Sequence, residues 1–489
     1  MITRHHMMIR PRKRAIFSVF SINSAVQHHL GKSSGLVFVK SLVVFITATI
    51  PILFAAVQPW VWSLYGLLMI TAFIATLWAS QDASKIFDDG HLNSVIGIFL
   101  IWTLFLCLPL PNPALSFLSP RRYDIIFKSI ELTGYASSWE TVSYLPSKAF
   151  AWWVFLLSLA LYHLVVRRLC ADIHFLKILV FSMIGIGLLE AAYGLVQALV
   201  PSMGVLWVDY ILDYMGTARG TFINRNHFAG FIEMTWPLAL GYTLSMTGKG
   251  PYFKKALASD SLNRQALMAL ALVILLLSLL LSRSRAGITG GLIGFLTFWY
   301  ISRPKIGHIV LRTRILSSIT IFLLCIYCLA IGVGPIIERF LSIDDSSSRI
   351  EIWWDSLQII KDHPLGIGLR NYENVFQVYN QSSGYDRTVV HAHNDYLQLL
   401  IETGWIGFLT LIGGFILFIV KSFRVVGGLD AQRDPIRFFM AVGAFSGIIS
   451  LAFHSFFDFN LQIPANCFYF VTLTAILSAC FQHSERSKD

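Results

Sequence analysis

Long apolar runs separated by short polar stretches set the pattern of this chain. Runs of about 18–20 apolar residues are what crossing roughly 30 Å of hydrocarbon requires. Such runs fall near 36–57, 60–79, 93–110, 149–166, 176–200, 228–247, 266–282, 287–301, 315–334, 403–420, 438–455 and 463–481. The expected fold is therefore an all-α polytopic membrane protein with about twelve transmembrane helices. Most connections are short, as suits antiparallel neighbours. Residues 111–148, 201–227 and 335–392 are longer and polar enough to carry structure or chemistry of their own. The organisation expected is a basic tail over 1–35, nine helices within 36–334, a large loop over 335–392, three helices within 393–482 and a short tail over 483–489. The two halves show no internal repeat of the kind transporters are built from.

Within the long loop, RIEIWWDSLQIIKDHP puts Ile350, Trp353, Trp354, Leu357 and Ile360 at helical spacing, and Pro364 ends the run. GIGLRNYENVFQVYN reads as a glycine-permitted turn followed by a second short helix. NDYLQLLIETG reads as a helix capped by Asn394 or Asp395, with Gly404 marking a break before the next span. The segment 111–148 reads as a partly helical interfacial piece.

Composition agrees with the pattern: 55% of residues are hydrophobic and only 13% charged, about half the charged share of a soluble domain. Charge adds the orientation. With the N-terminus inside, 24 of the 38 Lys and Arg residues fall on the inner side and 13 on the outer. Both termini are thus expected in the cytoplasm. The same bias accounts for most of the net charge of +11, so no nucleic-acid partner is implied. MITRHHMMIRPRKR stands well before the first span without a cleavage site at the usual distance, and reads as a cytoplasmic tail. The six cysteines are scattered. Cys325 and Cys328 form a CxxC inside an apolar span and read as small packing residues.

Candidate chemistry gathers on the outer face. Arg219 and Arg225 precede one span, Arg283 and Arg285 lie between two, and Arg349 is in the long loop. An arginine at full bilayer depth costs about 2.5–3.5 kcal/mol and less near the interface. Repeated placement there points to an anionic partner such as a diphosphate, which the planar guanidinium binds with two parallel hydrogen bonds; snorkelling to headgroups is the competing reading. In VVHAHNDYLQLLIETGWIG, His391 and His393 precede a helix returning into the bilayer. A neutral imidazole there can take a proton from a hydroxyl. H-x-H can also offer two metal ligands, with Asp395, Asp386 or His454 as the third, and a structural histidine beside a helix cap is the blandest alternative. FHSFFDFNLQIPAN adds His454, Asp458 and Asn460, while Glu233 is an ionisable group within a span. His227 and Glu233 are six apart and do not share a helical stripe.

Four stretches together resemble the O-antigen ligase and polymerase superfamily of bacterial inner-membrane glycosyltransferases. They are RGTFINRNHFAGF (219–231), SRAG (284–287), RIEIWWDSLQIIKDHPLGIG (349–368) and HNDYLQLLIETGWIG (393–407), with HSFFDFNLQIPAN in support. The resemblance implies a GT-C-type helical bundle with a partly helical periplasmic loop. It implies transfer of a glycan from undecaprenyl diphosphate to an acceptor hydroxyl at the periplasmic face, with no metal, cofactor or nucleotide sugar. His393 matches the essential histidine of the family. Arg285, Arg349 and, less directly, Arg219 match arginines that hold the diphosphate, and Arg225 is an equal candidate beside Arg219. Asn394, His391 and Asp458 stand as supporting residues. The implied acceptor is lipid A–core for a ligase or a second lipid-linked glycan for a polymerase; relatives also glycosylate pilin. The RGTFINRNHFAG form is similar to members from exopolysaccharide clusters and leans towards polymerase. A lipid-linked saccharide flippase is the alternative from another class. It calls for charges deep in several spans, where this chain has only Lys40, Glu190 and Glu233.

Overall fold

The computed structural model describes residues 34–80, 87, 90–134, 137–208, 215–246, 260–306, 344–381 and 388–486. The span expected over 315–334, with its CxxC, lies outside the described residues, as do Asp386 and most of the basic N-terminal tail. The helices in chain order are α1 (Ser34–Thr49), α2 (Pro59–Ala79), α3 (Gly90–Phe105), α4 (Asn112–Leu118), α5 (Pro120–Thr133), α6 (Pro146–Leu169), α7 (Ile173–Leu199), α8 (Arg225–Ser245), α9 (Asp260–Leu281), α10 (Arg285–Ile306), α11 (Asp344–Asp362), α12 (Tyr372–Tyr379), α13 (Asp395–Gly428), α14 (Pro435–His454) and α15 (Pro464–Arg486). Two residue pairs, Leu110–Pro111 with Trp139–Glu140, form a small antiparallel ribbon around α4 and α5. The protein is an all-α, multi-pass membrane protein.

Among the described residues, seven helices are long and apolar enough to cross a bilayer: α2, α6, α7, α9, α13, α14 and α15. α1 and α3 are apolar but shorter. α8 and α10, both expected as spans, fall below that apolarity, and for α8 the reason is its surroundings. α8 is wrapped by α7, α9, α10, α14 and α15, and nearly every residue from His227 to Leu244 is buried. A helix with protein on all sides needs no lipid-facing apolar surface and can carry Glu233, Thr235 and Thr243. Its contact with α14 is close because both helices present glycine. A Cβ on Gly241 would run into the Phe439 carbonyl, and one on Gly443 would stand 2.7 Å from the Pro237 oxygen.

Local starts follow the sequence closely. α2, α4, α5, α6 and α14 each have proline in their first two positions, where its missing N–H costs nothing. The long loop folds into a lobe of α11 and α12 around Ile352, Ile359, Tyr372, Val375 and Phe376, sharing Ile401 with α13. α11 ends at Asp362, two residues before Pro364, as its pattern predicts. The 111–148 segment gathers Leu115, Ile126 and Val142 on Leu106.

α13 is broken at Gly404, which sits at φ 64° and ψ −175°, a conformation left to glycine. The break frees carbonyls that a bilayer would leave unpaired. Ile367 N–H donates to Ile401 O at 3.1 Å, Gly368 N–H to Glu402 O at 2.9 Å, and the Trp102 indole to Thr403 O at 2.7 Å. Trp405 N–H donates back to Pro364 O at 3.0 Å. The PLGIG segment thus docks on the open helix like a short strand. Gly404→Ala is expected to destabilise the protein by about 1–3 kcal/mol from backbone strain alone, and by more from collision with the Leu365 backbone. Thermal unfolding in detergent checks it; an unchanged midpoint would mean the break does not depend on glycine.

Candidate functional site

The sequence motifs converge where α8, α10, α13 and α15 begin and α14 ends, around the turn 455–463. Asp395, the first residue of α13, organises that turn. Its N–H donates to Ser455 O at 2.9 Å and Asp458 O at 3.2 Å. Its Oδ2 accepts from Ser455 Oγ at 2.8 Å and from Leu461 N–H at 3.0 Å. Just before it, Asn394 caps α13 by accepting from Tyr396 and Leu397 N–H at 3.1 and 3.0 Å. Of the two expected caps, Asn394 therefore serves, and Asp395 is turned to the neighbouring loop.

His393 precedes that cap with φ +50°, in the left-handed region where a residue with a Cβ is uncommon. Its Nδ1 lies 3.6 Å from Asp458 Oδ1, and His227 Nε2 reaches the same oxygen at 3.6 Å. Asp458 is itself buried, at 1% exposure. Burial favours the neutral acid, but the imidazoles of His227 and His393 beside it outweigh that and hold the carboxyl well below its usual range. The Phe459 ring supports all three histidines: His391 stacks on it at 4.1 Å, while His227 and His393 meet it edge-on at 4.5 and 4.9 Å.

His391 has a different environment. Gln398 Oε1 accepts from Ala392 N–H at 3.2 Å while its Nε2 donates to Glu402 Oε1 at 3.0 Å. The amide orientation is thereby determined, so the 3.2 Å contact from His391 Nδ1 to Oε1 makes Nδ1 the protonated nitrogen. Burial first, then the charge of Arg370, lowers its pKa to about 3.

Arg349 brings its guanidinium to the turn, with Nη1 donating to Phe457 O at 2.7 Å. Arg225 and Arg285 open α8 and α10, which pack together. Arg219 is buried, at 1% exposure, in a segment tied down on both sides. Ala218 N–H donates to Leu281 O at 2.9 Å, Gln197 Oε1 accepts from Arg219 N–H at 3.3 Å, and Glu190 accepts from Thr221 N–H at 2.8 Å and from its hydroxyl at 2.9 Å. The arginines therefore enter from separate elements at one end of the bundle. Beside Asn394, a recess of about 380 Å³ is lined by Ile350, Trp353, Trp354 and Leu357 of α11 with Leu397. Trp353 anchors it by donating to Ala392 O at 2.8 Å.

Several partnerships were not legible in advance. Glu233 Oε1 meets His454 Nδ1 at 3.0 Å, and Ser450 Oγ donates to Oε2 at 3.1 Å. Arg370 counted in the sequence only as a loop charge. Here it has φ +60°, lies 4.3 Å over the Trp152 ring and donates weakly to Gln462. Its place after the GIGL turn was the available signal. His227 showed none beyond the polar run NRNH. Among the described residues no group of three His, Cys, Asp or Glu is placed to hold a metal ion. His391 and His393 both turn their rings to Phe459.

Seven helices long and apolar enough to cross a bilayer define a multi-pass membrane protein, and its buried polar clusters gather at one end of the helical bundle. Residues 270–412 match the family model described as O-antigen ligase, a stretch containing SRAG, the α11 segment and the His393 motif. The match covers less than a third of the chain and supports a likeness to the O-antigen ligase/polymerase superfamily over that stretch. No curated protein matches the chain.

The His391 environment predicts a pH effect on stability. The unfolded chain takes up a proton below the ordinary value of 6.5, whereas the folded ring resists until about 3. Its contribution is therefore present above 6.5 and lost as pH falls towards 3. His391→Gln should flatten the fall in melting temperature across that window; an unchanged slope would refute the buried neutral ring.

Proposed function

We propose that this protein is a metal-independent membrane glycosyltransferase of the O-antigen ligase/polymerase type. It moves a glycan from undecaprenyl diphosphate to an acceptor hydroxyl at the periplasmic face, in cell-surface polysaccharide synthesis. The supporting observation is the placement of His393 Nδ1 against the buried carboxylate of Asp458. That carboxylate favours the tautomer with hydrogen on Nδ1 and leaves a lone pair on Nε2. In the proposed step the acceptor oxygen bonds to the anomeric carbon and the bond from that carbon to the diphosphate oxygen breaks. The hydroxyl proton passes to His393 Nε2. The displacement inverts the anomeric centre. Arg285, Arg349 and Arg219, with Arg225 beside it, hold the departing diphosphate as its charge grows. Asn394 caps the helix that sets His393 in place, His391 stays neutral beside it, and the recess along Trp353 and Trp354 gives the acceptor a path.

The same reading assigns a GT-C-type bundle of about twelve spans, the inner membrane as location, both termini in the cytoplasm and 335–392 as the large periplasmic loop. The form of the 219–230 segment leans towards polymerase, with a second lipid-linked glycan as acceptor. A ligase using lipid A–core would employ the same His393 chemistry. Flippase activity finds less support, because Glu190 and Glu233 have hydrogen-bonded partners inside the bundle.

Purified protein with a lipid-linked glycan and acceptor should lose about 10²–10⁴ of its transfer rate on His393→Ala. Asp458→Asn should cost on the order of 10–100-fold, the worth of a hydrogen bond to a charged group. Full activity in His393→Ala would refute the base assignment. In a deletion strain, single repeat units on carrier or core without long polymer would identify a polymerase. Lipid A–core lacking long chains, with polymer left on its carrier, would identify a ligase.

A further inference from the structure

α3, α6, α15 and α13 pack in a closed ring, each touching the next. Between these helices lies a partly open cavity of about 280 Å³. Its wall is aliphatic and aromatic, with Val95, Phe99, Leu156, Phe415, Phe470 and Val471 among the lining residues. Asp395, Glu402 and Gln462 border the end nearest the His393 motif, and His163 and Thr474 line it further along α6 and α15. Asp395 Oδ2 and Glu402 Oε1 are occupied by Ser455, Leu461 and Gln398.

Along α6 the lining runs from Trp152 to His163, about 16 Å at the helical rise. That is close to half the ~30 Å of bilayer hydrocarbon, the depth of one leaflet. At the motif end the Arg370 guanidinium lies over Trp152 at 4.3 Å. Its Nη1 reaches Gln462 O and Oε1 only at 3.4 and 3.3 Å. Among the described residues it forms no ion pair, so most of its five N–H donors remain for a ligand. Arg219, Arg225 and Arg285 belong to elements that do not line this cavity.

We propose that the ring binds a phospholipid of the surrounding bilayer, with one acyl chain in the cavity and its phosphate on Arg370. A leaflet-deep apolar slot fits an acyl chain, whereas an eleven-isoprene carrier is several times longer. Arg370, stacked on the lining residue Trp152 and bonded to the lining residue Gln462, supplies the forked donors that a phosphodiester accepts. The chain would brace the inner side of α13, the helix that carries Gln398 and Glu402 beneath His391. The proposal does not rest on the transfer chemistry.

The test is native mass spectrometry of the full-length protein in detergent, titrated with palmitoyl-oleoyl phosphatidylethanolamine. It is paired with photo-crosslinking in nanodiscs to the same lipid bearing a diazirine on one acyl chain. One tightly retained lipid is expected, with crosslinks in residues 152–163 and 470–474. Arg370→Gln should weaken retention about tenfold, as for loss of a charged hydrogen bond, and Ala160→Phe, which fills the slot, should abolish it. Equal retention by both variants, or crosslinks confined to other helices, would overturn the site. Displacement of the lipid by equimolar undecaprenyl phosphate would overturn the assignment of its occupant. Should Ala160→Phe fail to fold, the wild-type crosslink map decides alone.

Discussion

A transmembrane helix that stops hydrogen-bonding to itself must find other donors, because the bilayer core offers none. At Gly404, α13 meets that demand with two backbone N–H groups from PLGIG and the Trp102 indole. Each carbonyl left bare would cost about 1–3 kcal/mol, so the arrangement is retained as a set or lost as a set. Its geometry joins three parts of the chain: α3 through Trp102, the α11–α12 lobe through PLGIG, and the first turns of α13. Those turns carry Asp395, which pins the 455–463 turn, and Asn394, which fixes the exit of His393. The polar end of the molecule thus depends on a helix that is interrupted in the right place.

The same region carries backbone strain, as do Phe54, Ala55, Ala56 and Leu206 elsewhere. His393, Arg370 and Arg283 all adopt positive φ without being glycine. Such conformations persist only where surrounding contacts over-determine them. For His393 those contacts are the cap immediately after it, the Phe459 ring and the Asp458 carboxylate. A side chain held in this way has little freedom to lose on engaging a reactant, which suits preorganised chemistry.

What the sequence revealed and what it concealed divide along contact range. Asn394 as cap, the helix end before Pro364 and the break at Gly404 were readable because each depends on residues within a few positions. Seven of the spans were readable from apolar length among the described residues, whereas α8 lacks the apolarity of a lipid-facing helix because protein surrounds it. The pairing of Asp458 with His227 and His393, of Glu233 with His454, and the seat of Arg370 on Trp152 were not readable. They join residues 65 to more than 200 positions apart, brought together only by the order in which helices pack. A single sequence carries their chemistry but not their neighbours.

The glycine contact between α8 and α14 has a kinetic consequence. Backbones this close, at Gly241 and Gly443, leave no layer of side chains to slide over one another, so the two helices move as one body. α8 carries Arg225 and His227, and α14 leads into Asp458. In the proposed reaction, the diphosphate-holding Arg225 and the His393 partner Asp458 are therefore held in one register, and the site is not gated by rocking α8 against α14. On the proposed chemistry, turnover would then follow how often two membrane-borne reactants meet at a standing site. Throughput would scale with their surface density in the leaflet and not with a conformational clock.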